Sequence, residues 1–415
     1  MSTSADIIIV GCGVAGATAA ETAAALGSRV LLVEDHPRVG IPSHCSGHVG
    51  ISSMKRLGVQ IPERIIKNEI RGAVFHSPSG QILQLERRAP ITWVLDRKAF
   101  DQHLSVKAEK AGAEIKLSHR AVSMQRSESK QVAVRVSAGD GITTCSAKVL
   151  IDCEGVAPTL LNRGVADQTR RAMWVNSAQV YVDEMKDLDR DMVQAYLGSA
   201  YAPGFFAWII PWRDGSAKIG LAARQGNARL LLERFMMKHP DVSSRLKGVT
   251  PRDVSYHPIP LGGPVSRSFH PGVLVAGDAA QQVKPTTGGG IVFSLICAKA
   301  AGEVAHQAAI EGDTSNAFLS TYERRWRREI GMDLNAMRKI RRMLFRLPDR
   351  HLDRIFSFAR TIGAANVLDR ADDIDMQGRA LARLGLDPRL AVSMLYSGIL
   401  SLPFIADGSE RAENN

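Results

Sequence analysis

Near its start the chain carries four consecutive apolar residues, Ile7-Ile8-Ile9-Val10, with Asp6 before them and a glycine turn after them. A short unbroken apolar run between turn signals is the pattern of a strand covered on both faces. A small-residue stretch, ATAAETAAALG, follows and predicts a helix, and Arg29–Val33 predicts a second strand ending at Glu34. The rhythm changes further along. Ala172–Val182, Val193–Leu197, Phe205–Pro211 and Ala217–Ala223 are β-branched or aromatic and partly alternating, which predicts an antiparallel sheet with one covered face. From about residue 311 the spacing becomes helical, with Pro348 as a break. There Ile330, Leu334, Met337, Ile340, Leu344 and Leu347 form an apolar stripe flanked by Arg327, Arg328, Arg338, Lys339, Arg341, Arg342 and Arg346. Such a basic amphipathic helix either docks its stripe on the protein or lies in a membrane interface with anionic lipids.

Between the first two strands lies Gly11-Cys12-Gly13-Val14-Ala15-Gly16. Gly11 permits a tight turn, Gly13 lets backbone approach a pyrophosphate, and Gly16 lets the following helix sit close to the sheet. The helix N-terminus offers free N–H groups and a positive dipole end to phosphates. Glu34 stands about twenty residues later, where a carboxylate can bind both hydroxyls of an adenosine ribose. These features do not separate NAD from FAD.

Two later segments do. Val94-Leu95-Asp96-Arg97-Lys98-Ala99-Phe100-Asp101 reads as a strand leading into a helix. Gly272-Val273-Leu274-Val275-Ala276-Gly277-Asp278 reads as a buried strand ending in Gly-Asp, followed by Lys284-Pro285-Thr286-Thr287-Gly288-Gly289-Gly290-Ile291 and a long helix to about Ala309. Asp278 can accept hydrogen bonds from a ribityl chain, and the N–H groups of the helix after the glycines can stabilise negative charge on a reduced flavin. A nicotinamide enzyme needs no such second nucleotide strand, so the expected cofactor is FAD.

The glycine fingerprint, Arg-x-x-Phe-Asp and Gly-Asp resemble, in order and spacing, the FAD-dependent oxidoreductases of the p-hydroxybenzoate hydroxylase fold. Asp152-Cys153-Glu154-Gly155 departs from that pattern, with Glu154 where the family usually has Asp. Pro203-Gly204-Phe205-Phe206-Ala207-Trp208-Ile209-Ile210-Pro211 resembles the Pro-x-x-Tyr-x-Trp-x-Phe-Pro signature of the geranylgeranyl reductase family, with Phe206 for Tyr and Ile210 for Phe, and Trp212–Leu221 resembles its following hairpin. His44-Cys45-Ser46-Gly47 resembles that family's cysteine loop. The resemblance extends from residue 1 through the basic helices.

It implies an α/β chain with a Rossmann-type FAD-binding domain at 1–165 and 265–310, an antiparallel β-sheet substrate domain at 166–264, and a C-terminal helical region at 311–415. It implies cofactor contacts from Gly11, Gly13, Ala15, Gly16, Glu34, Cys45, Ser46, Arg97, Ala121, Asp278, Gly288, Gly289, Gly290 and Ile291. Pro203, Phe206, Trp208 and Pro211 become the expected substrate wall. The implied reaction is FAD-dependent hydrogenation of isoprenoid C=C bonds in membrane lipids or prenyl diphosphates. An isolated alkene is a poor hydride acceptor, so saturation needs a hydride and a proton with carbocation character between, which aromatic faces at Phe206 and Trp208 can stabilise. Cys45 is the candidate proton donor or relay, a thiol with an ordinary pKa of ~8.5 being protonated at neutral pH. His44 and His48 are alternative acids. Halogenases of the same fold carry Trp-x-Trp-x-Ile-Pro, of which Trp208-Ile209-Ile210-Pro211 supplies the second half. A flavin monooxygenase and a membrane-associated flavoprotein electron carrier are the further alternatives.

Composition narrows the setting. At 415 residues the chain is long enough for two or three domains, and 45% apolar with 23% charged residues excludes wholesale disorder and a polytopic membrane protein. The net charge of 53 − 42 = +11 favours anionic partners. No nucleic-acid module is recognisable, and none is expected as a partner. Cys12, Cys45, Cys145, Cys153 and Cys297 are scattered and odd in number, which argues against a disulfide framework or a zinc site and for a reducing cytoplasm. The opening apolar run is too short for a signal peptide. Ala391–Ile405, with Pro403, falls short of the ~20 apolar residues of a spanning helix and reads as a buried terminal helix or an element lying on a membrane surface, hydropathy favouring the first, while the polar tail after Asp407 reads as frayed. A peripheral position on the inner face of the cell membrane follows from a lipid substrate. The expected electron donor is an acidic ferredoxin or NADPH; no second dinucleotide fingerprint provides for stably bound NADPH.

Overall fold

Ile7–Val10 is a strand whose four residues are all buried, paired in parallel with Val149–Asp152 on one side and Val30–Val33 on the other. It lies inside a six-stranded sheet of order Phe269–His270, Val273–Val275, Val149–Asp152, Ile7–Val10, Val30–Val33, Glu114–Lys116. That interior position is why its sequence is continuously apolar instead of alternating. The computed structural model describes residues 3–127, 130–139, 141–156, 159–160, 173–344, 347–361 and 374–378. The expected terminal helix at Ala391–Ile405, the tail after Asp407, and Arg346 lie outside them.

The chain forms two compact units, one from Met1–Ser43, Asp96–Ala172 and Pro260–Leu334, the other from His44–Leu95, Met173–Ile259 and Asn335–Asn415. In the first unit the helices Val14–Ala25 and Ile291–Glu311 approach so closely that a Cβ on Gly302 would lie 2.7 Å from the Ala19 carbonyl oxygen. Small residues on both helices allow this contact. A four-stranded sheet (Thr3–Ser4, Gly141–Ala147, Val132–Ala138, Arg120–Arg126) shares a core with Ile8, Leu31 and Leu150 through Val132, Val134 and Val136. The helix Asn316–Leu344 is fixed by two buried aromatics: Tyr322 donates its hydroxyl to the Val275 carbonyl at 2.8 Å, and Trp326 donates Nε1–H to Ser268 Oγ at 3.0 Å.

The second unit holds a seven-stranded sheet of order Arg252–Ile259, Val175–Val182, Ala217–Ala223, Phe206–Pro211, Met192–Leu197, Gly72–His76, Ile82–Glu86. Its strands pair antiparallel except Met192–Leu197 with Gly72–His76. One face carries Val180, Ile209, Ile219 and Leu221, which pack with Leu232, Phe235 and Val242 of the helices Ala228–Lys238 and Pro240–Arg245. The opposite face is covered in part as well: Ile210, Trp208 and Val193 pack with Ile70 and Val94 of a three-stranded sheet, His48–Gly50, Thr92–Leu95, Ile66–Ile70. The alternation predicted one covered face because the second cover comes from residues far upstream. The hydrogen bonds between Gly72–His76 and Met192–Leu197 also draw residues 44–95 into this unit, whereas the sequence groups them with the nucleotide strands.

The apolar stripe of the basic helix is turned inward. Ile330, Leu334 and Met337 are at most 1% exposed, Leu347 is buried, and Ile340 and Leu344 are half-buried. Arg327, Arg328, Lys339 and Arg342 are exposed, but Arg341 is buried, contrary to its expected place among the flanking charges.

Candidate functional site

The first unit builds a cradle from backbone. Gly11 has φ +91°, and a Cβ there would meet the Cys153 carbonyl oxygen at 2.4 Å; on Gly16 a Cβ would lie 1.7 Å from the Gly11 carbonyl oxygen. Only glycine fits either position. At Gly13 the opposite holds: it is exposed, with no atom within 4 Å of where its Cβ would be, so backbone is presented to open space. Gly13 is also the N-cap of Val14–Ala25 and supplies no side-chain cap, and no acid occupies the first turn. The amide groups of that turn therefore stay available to an anion. Glu34 ends the second strand: its Oε2 accepts from the Cys12 N–H at 2.6 Å, and its Oε1 accepts from the His36 N–H at 3.0 Å and lies 2.6 Å from His36 Nδ1. The expected ribose acid is thus anchored to the glycine turn itself. Ala121 is buried in the neighbouring sheet, where its strand shifts register.

The distant Gly-Asp segment converges on this cradle. A Cβ on Gly277 (φ +69°) would lie 2.9 Å from Ala15 Cβ, and a Cβ on Gly290 would lie 3.1 Å from Asp278 Oδ1. Burial pushes the Asp278 carboxyl above the ordinary range, while the Arg97 guanidinium draws it back down. Arg97 is itself held by a two-point ion pair to Asp101 (Nε–Oδ1 3.1 Å, Nη2–Oδ2 2.9 Å). The loop Lys284–Gly290 is closed by backbone bonds from Lys284 N–H to the Gly289 carbonyl (3.1 Å) and from Gly288 N–H to the Lys284 carbonyl (2.9 Å). Ile291 opens its helix with Gly290 as N-cap, without a side-chain cap or a first-turn acid. Lys284 is 6% exposed and packs on Gly289, a burial that sequence pattern does not signal.

Asp152 and Glu154 turn out to have structural partners. Asp152 is fully buried, with Oδ1 accepting from the Glu154 N–H at 3.0 Å; burial, with Glu154 beside it, pushes its carboxyl up to about 7. The Glu154 carboxylate accepts from the Thr159 and Leu160 N–H groups at 2.9 and 3.0 Å. Its extra methylene relative to Asp is used to reach that turn.

The second unit carries the expected substrate wall and the cysteine loop. Phe206 and Trp208 are half-buried, with centroids 6.0 Å apart in an edge-on arrangement, and Phe205 stacks on Phe206 at 4.2 Å. Trp208 donates Nε1–H to Gln179 Oε1 at 3.3 Å. Pro203 is half-buried and Pro211 buried. Arg341 clamps this segment, donating to the Gly204 carbonyl and lying over the Phe205 ring at 4.9 Å; burial, with Arg224 nearby, lowers its pKa to about 10. Sequence reading missed the clamp because an arginine beside an apolar stripe looks solvated.

Cys45 and Ser46 are half-buried, and Gly47 (φ +83°) fits so tightly that its Cβ would lie 2.1 Å from the Leu95 carbonyl oxygen. The Gly47 N–H points to Cys45 Sγ at 3.4 Å, and Lys218 Nζ donates to the Cys45 carbonyl at 2.8 Å. All five cysteines are free, and Cys45 alone is not buried. Burial pushes the Cys12, Cys153 and Cys297 thiols far up, which leaves them protonated and unreactive. His44 stacks on His257 at 4.9 Å, and His48 Nε2 lies 2.6 Å from Thr92 Oγ1.

The FAD binding domain family matches residues 4–335. Digeranylgeranylglycerophospholipid reductase 2 of Methanopyrus kandleri is 31% identical over 373 residues, covering 88% of this chain and 91% of that protein. The chain belongs to this reductase family. It is an FAD-dependent oxidoreductase, as the sequence predicted, with an FAD-binding domain, antiparallel sheets and C-terminal helices. The reductase is also similar to the crystal structure of a geranylgeranyl bacteriochlorophyll reductase-like protein from Thermoplasma acidophilum, at 25% identity and TM-score 0.81 over 93% of this chain and 98% of that one. The myxobacterial chondrochloren halogenase shares the fold, at 18% identity and TM-score 0.64 over 95% of this chain and 97% of that one. The cradle of the reductase fits FAD on its own geometry: open space at Gly13, two helix N-termini without side-chain caps, and the half-buried Asp278 carboxyl beside Gly290. Among the described residues of the reductase, no helix is long and apolar enough to cross a membrane.

Proposed function

We propose that this enzyme saturates the isolated double bonds of geranylgeranyl chains borne by a diether-type phospholipid or a prenyl diphosphate. The observation that carries the reading is the aromatic wall of the second unit, where Phe206 and Trp208 line up half-exposed beside a strand otherwise buried. When bound, FAD supplies the hydride. Gly11, Gly13, Ala15 and Gly16 bind its pyrophosphate, Glu34 its adenosine ribose and Asp278 its ribityl chain; Arg97 steadies Asp278, and Gly288, Gly289, Gly290 and Ile291 present amides to the pyrimidine side. Ala121 completes the contacts that the first unit supplies.

The chain's own part in the chemistry is to exclude water, to favour positive charge beside the indole of Trp208, and to hold a proton on Cys45 Sγ. Pro203 and Pro211 bracket the wall, Pro203 accepting from the Arg224 N–H at 2.9 Å and Pro211 ending the strand. Phe206 lacks the hydroxyl the reductase signature usually carries, so the wall makes only apolar and quadrupolar contacts there. Phe206 also counts against a halogenase, whose motif carries its first tryptophan at that position.

A lipid substrate asks for a membrane surface. Arg327, Arg328, Lys339 and Arg342 offer exposed cations to anionic headgroups, whereas the apolar stripe between them is spent inside the protein and does not insert. The net charge of +11 suits an acidic electron donor such as a ferredoxin, with NADPH the other candidate. The decisive experiment is anaerobic incubation of the dithionite-reduced protein with geranylgeranyl-bearing lipids. Product mass rising in steps of two hydrogens, with reoxidation of the flavin, is the expected result. Flavin that stays reduced with every prenyl substrate refutes the reading.

A further inference from the structure

Lys218 stands on Ala217–Ala223, an inner strand of the seven-stranded sheet, where a charge is out of place on sequence grounds. Its neighbours Ile219 and Leu221 point into the helix-covered core, so Lys218 and Gly220 belong to the opposite face, the one that carries Trp208. Its strand partners in register are Tyr181 and Ile210. The ammonium passes the Trp212 ring at 5.7 Å from the centroid and ends 2.8 Å from the carbonyl oxygen of Cys45. Trp212 is itself fixed edge-on to Tyr181 at 5.0 Å, so the path of the lysine stem is walled by aromatics.

The loop is held at its other end too. The Leu95 N–H donates to the Gly47 carbonyl at 2.9 Å, and Gly47 cannot carry a side chain there. The first anchor is on Cys45 itself, and only Ser46 separates it from the second. A carbonyl held in this way fixes the peptide plane that follows the cysteine and so limits the directions its side-chain rotamers can take. A charge-assisted hydrogen bond to a carbonyl is about twice as strong as a neutral one, enough to hold a loop that lacks regular structure.

We infer that Lys218 is a positioning residue whose hydrogen bond to the Cys45 carbonyl sets how the thiol is presented for reaction. This rests on the proposed role of Cys45, and the test separates the two. Because the other four cysteines are buried, iodoacetamide labelling of the oxidised holoenzyme at fixed pH reports on Cys45. Labelling rate and anaerobic turnover are measured for wild type, Lys218→Met, Lys218→Arg, Cys45→Ala and the Met/Ala double variant, with flavin absorbance as the check on folding. Expected for Lys218→Met are a labelling rate altered severalfold and kcat lowered about tenfold at nearly constant KM. Lys218→Arg should restore both, and the double variant should be no slower than Cys45→Ala. Wild-type labelling in Lys218→Met overturns the inference, as does additivity of the two substitutions. Undiminished turnover of Cys45→Ala sinks the role of the thiol instead, and the labelling rate then decides alone whether Lys218 anchors the loop. Should Lys218→Met not fold, Lys218→Gln serves for the same comparison.

Discussion

Trp208 and Gly220 face each other across neighbouring strands, and a methyl group on Gly220 would sit 2.6 Å from the indole carbons of Trp208. The glycine is there so that the ring can lie across the strand, with its N–H on Gln179 at 3.3 Å. Gly220→Val should push the indole off this bed. Flavin absorbance should survive, and turnover of a geranylgeranyl lipid should fall at least about tenfold, since misplacement of the order of an ångström at a substrate-orienting group has such effects. Unchanged turnover together with an unchanged near-ultraviolet dichroism spectrum would contradict this placement of the ring.

Gly16 makes the tighter test of the cradle. A Cβ there collides with the Gly11 carbonyl at 1.7 Å, so Gly16→Ala must move the helix Val14–Ala25 away from the strand Ile7–Val10. Overpacking of this kind costs about 1–3 kcal/mol. The variant should purify with a reduced flavin-to-protein absorbance ratio, and added FAD should raise its melting temperature less than that of the wild type.

Arg341 predicts a stability effect separate from catalysis. Its guanidinium is buried and donates to the Gly204 carbonyl. Arg341→Ala should lower unfolding free energy in urea by about 2 kcal/mol, the scale of a buried charged hydrogen bond plus lost packing on Phe205. Arg341→Met, which keeps the apolar stem, should recover part of the loss. Equal midpoints for all three proteins would rule the clamp out.

His76 gives the chain a pH dependence. It stacks on Tyr196 with centroids 4.1 Å apart, and burial, countered by Asp241 and reinforced by His239 and Arg245, holds its pKa down to about 4 against an ordinary 6.5. The unfolded chain therefore binds a proton that the folded chain refuses between those values, so stability is full above pH 6.5 and declines as pH falls toward 4. Because the ring is half-exposed and screened, the loss by pH 4.5 should be on the order of 1–2 kcal/mol. Urea midpoints at pH 7.5 and 5 should separate in the wild type and draw closer in His76→Phe; an equal separation in both would assign the acid sensitivity elsewhere.

Local pattern was sufficient wherever a residue's role depends on its immediate neighbours. The run Ile7–Val10, the turn Gly11–Gly16, the strand ending at Gly277-Asp278 and the helix after Gly290 were legible because buried parallel strands and phosphate-binding turns constrain consecutive positions. The strand Ala217–Ala223 and the break at Pro348 were legible for the same reason. The Trp208 segment could be singled out only by its likeness to the reductase signature.

Other features depend on residues brought together from far apart, and these the tertiary structure alone decided. Whether an arginine is solvated or buried is set by what packs on its helix, so Arg341 lies on Gly204 while Arg342, its neighbour, faces water. The second cover of the large sheet comes from Ile70 and Val94, about a hundred positions or more upstream of Val193, Trp208 and Ile210. Lys218 reaches Cys45 across 173 positions. A linear pattern records which side of its own element a residue occupies; only the folded chain determines what waits on that side.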